Sequence, residues 1–252
     1  MLSPQPITNE LLNALLPSIL EGEKLVDDIA LRTIINNARK LPDVTQRYLV
    51  EGLANFVKGD IGVAVRLCEL AISRSPNDRT AWSNYLISLM SWGLHEGAFE
   101  LAQRGIKTNI PILLIQCIEV AALWAHKGLL NEITDHAYRL TEFMDLNPRM
   151  SQSLTKAKAT MGKLNQMSPE ASYELGEMAA AAREIADKER LQIVSSSIVD
   201  EAEGGYAFRV GIKTDDFQYL AKLDDMLFDL LISKGIKSRD CIAFFEPIEV
   251  ED

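Results

Sequence analysis

Residues 47–78 read RYLVEGLANFVKGDIGVAVRLCELAISRSPND. Two short amphipathic runs meet at Lys58-Gly59-Asp60, and Pro76 closes the second. Gly and Asp at the junction supply a turn, and a proline past a helix end stops the helix from continuing. Gly52 and Ala64 are small where two helices must approach closely, Ala71 is small where a next unit packs, and Tyr48, Phe56, Leu67 and Ile72 fill the space between. A second unit begins at Arg79, where the first ends. The pattern is a helix-turn-helix repeat with a period of about 34 residues.

In the positions of Tyr48, Gly52, Gly59, Asp60, Ala64, Ala71 and Pro76 the stretch resembles a tetratricopeptide (TPR) repeat. The next unit, 79–112, keeps Trp82, Gly93 and Ala98, has Gly105 in place of the late Ala, and carries Pro111 one residue late. A third, about 114–148, keeps Gly128, puts Trp124 near the aromatic slot and ends at Pro148. The resemblance covers roughly residues 45–148 and is fullest in the first unit. It implies a superhelical stack of α-α pairs that holds a peptide or helix in a groove lined by the first helix of each pair. By the family's spacing the groove positions are Gln46, Leu49, Leu53 and Phe56, then Thr80, Ser83, Ile87 and Met90. The family's best-known groove grips a terminal carboxylate through Lys, Asn and Arg. These positions are apolar or small and polar, so an amphipathic helix or apolar segment is the better match. The alternatives are an irregular α-bundle for the fold and, for these side chains, a core shared with the N-terminal helices.

Around this centre the chain reads as follows. Thr8-Asn9 caps a helix from Glu10 to about Leu20, with Pro17 in its last turn and Glu21-Gly22 closing it. A second helix runs from about Glu23 to Lys40, with Leu25, Ile29, Ile34 and Ala38 on one face, and Leu41-Pro42 stops it. This pair is either a divergent first repeat or a cap, since terminal repeats face water on one side. From residue 149 a polar basic helix carries a thin stripe of Leu154, Met161 and Leu164. Ser168-Pro169-Glu170 starts an Ala-rich helix with Tyr173, Leu175, Met178, Ala182 and Ile185 as its buried stripe.

β signals begin after Leu191. LQIVSSSIV is β-branched, Glu203-Gly204-Gly205 is a turn, and YAFRVGIK alternates Tyr206, Phe208, Val210 and Ile212 against Ala207, Arg209, Gly211 and Lys213. Thr214 or Asp215 caps a helix to about Lys234 with Phe217, Leu220, Leu223, Leu227, Leu230 and Leu231 inward, Gly235 ends it, and Arg239 to Phe245 is a third strand. The fold class is mainly α, a TPR-like repeat stack followed by a small ββαβ part with open outer edges. The organisation is 1–148 repeat domain, 149–190 bridging helices, 191–252 acidic ββαβ domain.

Of a net charge of −10, residues 191–252 contribute −7, with 13 Asp+Glu against 6 Lys+Arg. That acidity disfavours a direct nucleic-acid surface, which needs clustered Lys and Arg. It suits a basic protein partner or serves solubility. No apolar run approaches the length of a membrane helix, and the start lacks a basic and apolar leader. Cys68, Cys117 and Cys241 are scattered, odd in number and set among apolar neighbours, as in a reducing cytoplasm. His95, His126 and His136 stand at no metal-ligand spacing, and no phosphate loop or nucleophile elbow occurs. No metal or cofactor is expected.

Tyr219, Asp225, Met226, Phe228 and Asp229 form a candidate contact patch on the last helix, with Asp225 and Asp229 four apart and mutually repelling. The expected function is a non-catalytic, cytoplasmic protein-binding scaffold, adaptor or chaperone. The alternative is an antitoxin- or immunity-type regulator whose acidic C-terminal domain covers a basic partner. A third reading is a hydrolase using C-terminal carboxylates such as Asp224-Asp225. Self-association through the open sheet edges is a further expectation.

Overall fold

The computed structural model describes residues 6–141, 148–201, 204–238 and 240–248. Among them the chain is mainly helical, with eleven α-helices and a three-stranded sheet near its C-terminal end, a helical array followed by a small α+β part. It divides into two compact units, Met1–Trp92 and Gly93–Asp252. The division falls inside the second sequence unit, 79–112, and residues 149–190 and 191–252 lie in one compact unit.

The first unit holds α1 (Pro6–Glu21), α2 (Asp28–Ala38), α3 (Val44–Lys58), α4 (Ile61–Arg74) and α5 (Arg79–Ser91). Aspartates start three of them: Asp27 accepts from the Ala30 N–H, Asp43 from Gln46 and Asp78 from Thr80 and Ala81. Each carboxylate satisfies amide donors that a helix start leaves unpaired. The Asp27 cap corrects the expected start of α2. Leu25 falls in the connection, Ile29 stands 81% exposed, and the buried face is Leu31, Ile34 and Ala38. α1 likewise begins at Pro6, so Thr8 lies inside the helix and is buried rather than capping it.

α3 and α4 fold back on each other across Gly59, whose φ of 88° is left-handed. Their contact is very close at Gly52, where a Cβ would come within 2.6 Å of Cys68 Sγ. α5 packs on both, and α1 lies against α3 and α5. Leu15, Ile19, Leu49, Leu53, Phe56 and Ile72 are fully buried there.

The second unit opens with α6 (His95–Gly105) and α7 (Pro111–Leu123), which repeat the device: a Cβ on Gly105 would sit 2.9 Å from Cys117 Sγ. α7 also packs on α8 (Lys127–Thr141) and α9 (Pro148–Gln166). The turn into α8 is made by Ala125 at φ 45°, while Gly128, expected to mark it, lies inside the helix. Residues 142–147 of the third sequence unit lie outside the described residues, as do Glu203 and Arg239. Ser168 caps α10 (Pro169–Glu189) by accepting from the Ala171 N–H. Leu175, Met178, Ala182 and Ile185 are buried as expected, but Tyr173 is exposed.

Strands β1 (Ile193–Asp200), β2 (Tyr206–Ile212) and β3 (Cys241–Pro247) lie in that order, β1 antiparallel to β2 and β2 parallel to β3. The parallel pair is bridged by α11 (Phe217–Ser233), which, with α10, packs against the sheet. Asp216, not Thr214 or Asp215, caps α11, and β3 starts two residues later than expected. Both alternating sets of β2 are covered, since Ala207 and Gly211 are buried along with Phe208, Val210 and Ile212. Arg209 remains half exposed beside Glu201 and Glu246.

The outer strands are less open than expected. Two β3 amides, on Cys241 and Phe245, are taken by Ser238 Oγ and Asp224 Oδ1, each at 2.8 Å. α7 and α9 pack beside β1, and the Ser196 hydroxyl donates to the Leu123 carbonyl at 2.6 Å. Such side-chain caps and covering helices blunt an edge against further strand pairing. No helix among the described residues is long and apolar enough to cross a membrane.

Candidate protein-binding surfaces

The face formed by α3 and α5 carries the sequence-derived groove positions, and the chain fills much of it with its own helix. Leu49, Leu53 and Phe56 are at most 2% exposed. They are core residues, not an open groove wall: α2, α4 and α5 pack on α3, and both α3 and α5 are also packed by α1. Its inward residues Thr8, Leu11, Leu15, Ser18 and Ile19 recur at three or four, the spacing of one helical face, and all are buried. The Thr8 hydroxyl donates to Gln46 Oε1 at 2.6 Å, so the one polar groove position of α3 is also engaged. Thr80, Ser83, Ile87 and Met90 on α5 are half-buried.

α11 presents two apolar faces. Leu220, Leu223, Leu227 and Leu231 are buried. Phe217, Phe228 and Ile232 are 73%, 64% and 60% exposed, and Ala221 beside them is exposed too. The spacing 217, 221, 228, 232 places these four in one stripe. Asp224 lies along one margin, Asp225 and Asp229 along the other, the latter two exposed. The patch expected from sequence is therefore divided. Tyr219 and Met226 are half-buried on the flank opposite Phe228, nine residues being half a turn out of phase. Phe217, expected inward, and Ile232, which no sequence signal singled out, belong to the stripe instead.

The carboxylates of α11 have distinct environments. Asp224 accepts the Phe245 amide and is half-buried, and its burial beside Asp225 raises its proton affinity although that amide opposes the rise. Its geometry is that of a strand cap. Asp216 is an N-cap with bonds of 3.0 Å to the Gln218 and Tyr219 amides. Asp225 and Asp229 face solvent.

The second unit also contains a buried polar seam between α6 and the end of α10. His95 is 2% exposed, its Nε2 lies 2.8 Å from the Leu191 carbonyl, and its ring meets Trp124 edge-on at 5.3 Å. A neutral imidazole with Nε2–H donating to that carbonyl leaves Nδ1 buried and unpaired. Burial lowers its proton affinity, partly offset by the Leu191 carbonyl and by Asp187. Nearby, Arg183 lies 3.9 Å over the Phe99 ring and donates to Glu96 at 2.9 Å, while the Glu96 amide donates to Asp187 at 3.0 Å. These bonds fasten α6 to the end of α10.

The three cysteines are buried, and burial pushes the Cys117 thiol up to about 12 and Cys68 and Cys241 upward as well. No group of three or more metal-ligating side chains occurs among the described residues. Compared with protein-family models, curated proteins and solved structures, the chain matches none.

Proposed function

We propose that this chain is a non-catalytic protein-binding scaffold of the tetratricopeptide-like kind, whose α3/α5 face takes an amphipathic helix. The seating of α1 carries this reading. A helix with apolar residues at 11, 15 and 19 already lies on that face, so the surface has the shape and apolarity for such a ligand. α1 also carries features that a partner helix need not share. Pro17 lies within it, and an interior proline forfeits one backbone bond and costs about 3 kcal/mol. Leu16 and Leu20 on its outer side remain exposed. A partner helix without those defects competes with α1 for the face.

The test is complementation in trans. The variant Leu15→Asp/Ile19→Asp unseats α1 in the full chain, and a labelled peptide of residues 6–21 is titrated against it and against wild type. The expected result is one-to-one binding to the variant and none to wild type. A variant that keeps its helical circular dichroism yet leaves the peptide free overturns the reading.

A second reading has its own observation. The acidity of residues 191–252 coincides with an exposed apolar stripe on α11, which suits an acidic region that covers a basic partner.

A further inference from the structure

We infer that the outward stripe of α11 is a docking seat for a basic amphipathic helix of another protein. This rests on the second reading above and specifies the partner's chemistry. Phe217, Phe228 and Ile232 are large, exposed and aligned, and apolar side chains clustered in this way mark an interaction surface. From Phe217 to Ile232 the stripe runs about 22 Å, four turns of helix. Its margins decide the occupant. Asp225 and Asp229 stand exposed on one side and Asp215 is exposed at the N-terminal end, where Asp216 caps the helix, while Asp224 on the other side is half-buried and holds the Phe245 amide.

A second copy of the chain is a poor match for these margins. Antiparallel self-pairing about the midpoint brings Asp224 and Asp225 of both copies together, and like charges so placed repel. A membrane surface is equally poor, because helices that lie on anionic lipid carry Lys and Arg on their polar face. A partner helix with an apolar stripe flanked by Lys or Arg satisfies both requirements: its apolar side covers the two phenylalanines and Ile232, and its cations meet the carboxylates. The charges set on-rate and partner choice, and the phenylalanines supply the anchors.

Two synthetic helical peptides of about 18 residues test this, long enough for the four turns. They share one leucine face and differ in carrying Lys or Glu on its flanks. Fluorescence anisotropy against the full chain is expected to show the Lys peptide binding, and binding more weakly as salt rises. Phe228→Asp and, separately, Ile232→Asp are each expected to weaken it about tenfold or more, the loss of one anchor. Asp225→Asn/Asp229→Asn is expected to narrow the preference for Lys over Glu flanks. These side chains are exposed, so thermal melts matching wild type establish that the variants fold.

Equal affinity for the two peptides, or no effect of either stripe variant, overturns the seat. So does a dimer in sedimentation equilibrium that Phe228→Asp dissociates, since the occupant is then a second copy. Salt-sensitive binding of the Lys peptide that survives both stripe variants sinks the seat while sparing the acidic-region reading. Absence of any salt-sensitive binding removes both.

Discussion

Substituting Gly52 by Ala probes the closest approach in the first helix pair. In an otherwise unhindered helix the change stabilises, by about 0.8–1 kcal/mol, because glycine loses more backbone freedom on folding. Here the added Cβ arrives 2.6 Å from Cys68 Sγ and 3.3 Å from the Ala64 carbonyl oxygen and the Cys68 nitrogen. The first contact forces α3 and α4 apart or Cys68 off its rotamer, and overpacking of that kind costs about 1–3 kcal/mol. The steric term outweighs the propensity term, so Gly52→Ala is expected to destabilise by about 1 kcal/mol net. Cys68→Ala removes the clashing sulfur, and the remaining contacts at 3.3 Å need the backbone to give only slightly. The double variant should therefore recover most of the loss, with a coupling of about 1–2 kcal/mol between the two sites. Equilibrium urea unfolding of the full chain, followed by circular dichroism and tryptophan fluorescence, reads all four corners of the cycle. A Gly52→Ala chain more stable than wild type, or strict additivity with Cys68→Ala, refutes the close-packing argument for this pair.

Further consequences are local. Asp78→Ala removes the acceptor for the Thr80 and Ala81 amides at 2.9 and 3.2 Å and should cost about 1 kcal/mol, with Asp78→Asn costing less, read by thermal melting. His95 binds its proton less readily in the fold than at its ordinary value of 6.5, so the unfolded chain takes up more protons below that value. Its contribution is thus full above pH 6.5 and lost as pH falls below it, in the same sense as His126 and opposite to Asp224 at lower pH. His95→Gln keeps a donor toward Leu191 and should flatten the fall in melting temperature between about pH 7.5 and 5.5; an unchanged slope contradicts the assignment. Cys68 and Cys117 should react with a thiol reagent at pH 8 only as the chain unfolds, given their burial and raised proton affinity. Prompt labelling of both in the native protein counts against the described cores.

What was legible in the sequence was local chemistry. The α3/α4 pair, its Gly59 turn and the Ser168 cap each follow from a few adjacent residues with one low-energy solution. Sequence spacing places the start of α2 too early, because Leu25 and Ile29 extend the helical period beyond its true beginning, while the Asp27 cap settles the boundary. The faces of α11 were harder to read. Apolar residues occupy more than half its circumference, so periodicity permits several inward stripes, and only packing against β3 and α10 selects Leu220, Leu223, Leu227 and Leu231. The covering of α3 and α5 by α1 is non-local: Thr8 and Gln46 are 38 residues apart, and no short window contains that information. The same holds for His95 and Leu191, 96 apart.

The claim that this chain works by holding another protein is tested most directly by affinity capture of the tagged chain from the cells that make it, at graded salt, with partners quantified by mass spectrometry. Wild type, the α1-unseated variant Leu15→Asp/Ile19→Asp and Phe228→Asp are compared side by side. The expected result is a protein recovered in stoichiometric amount whose yield rises when α1 is unseated or collapses in Phe228→Asp. Recovery of no stoichiometric protein by wild type or by the unseated variant contradicts it.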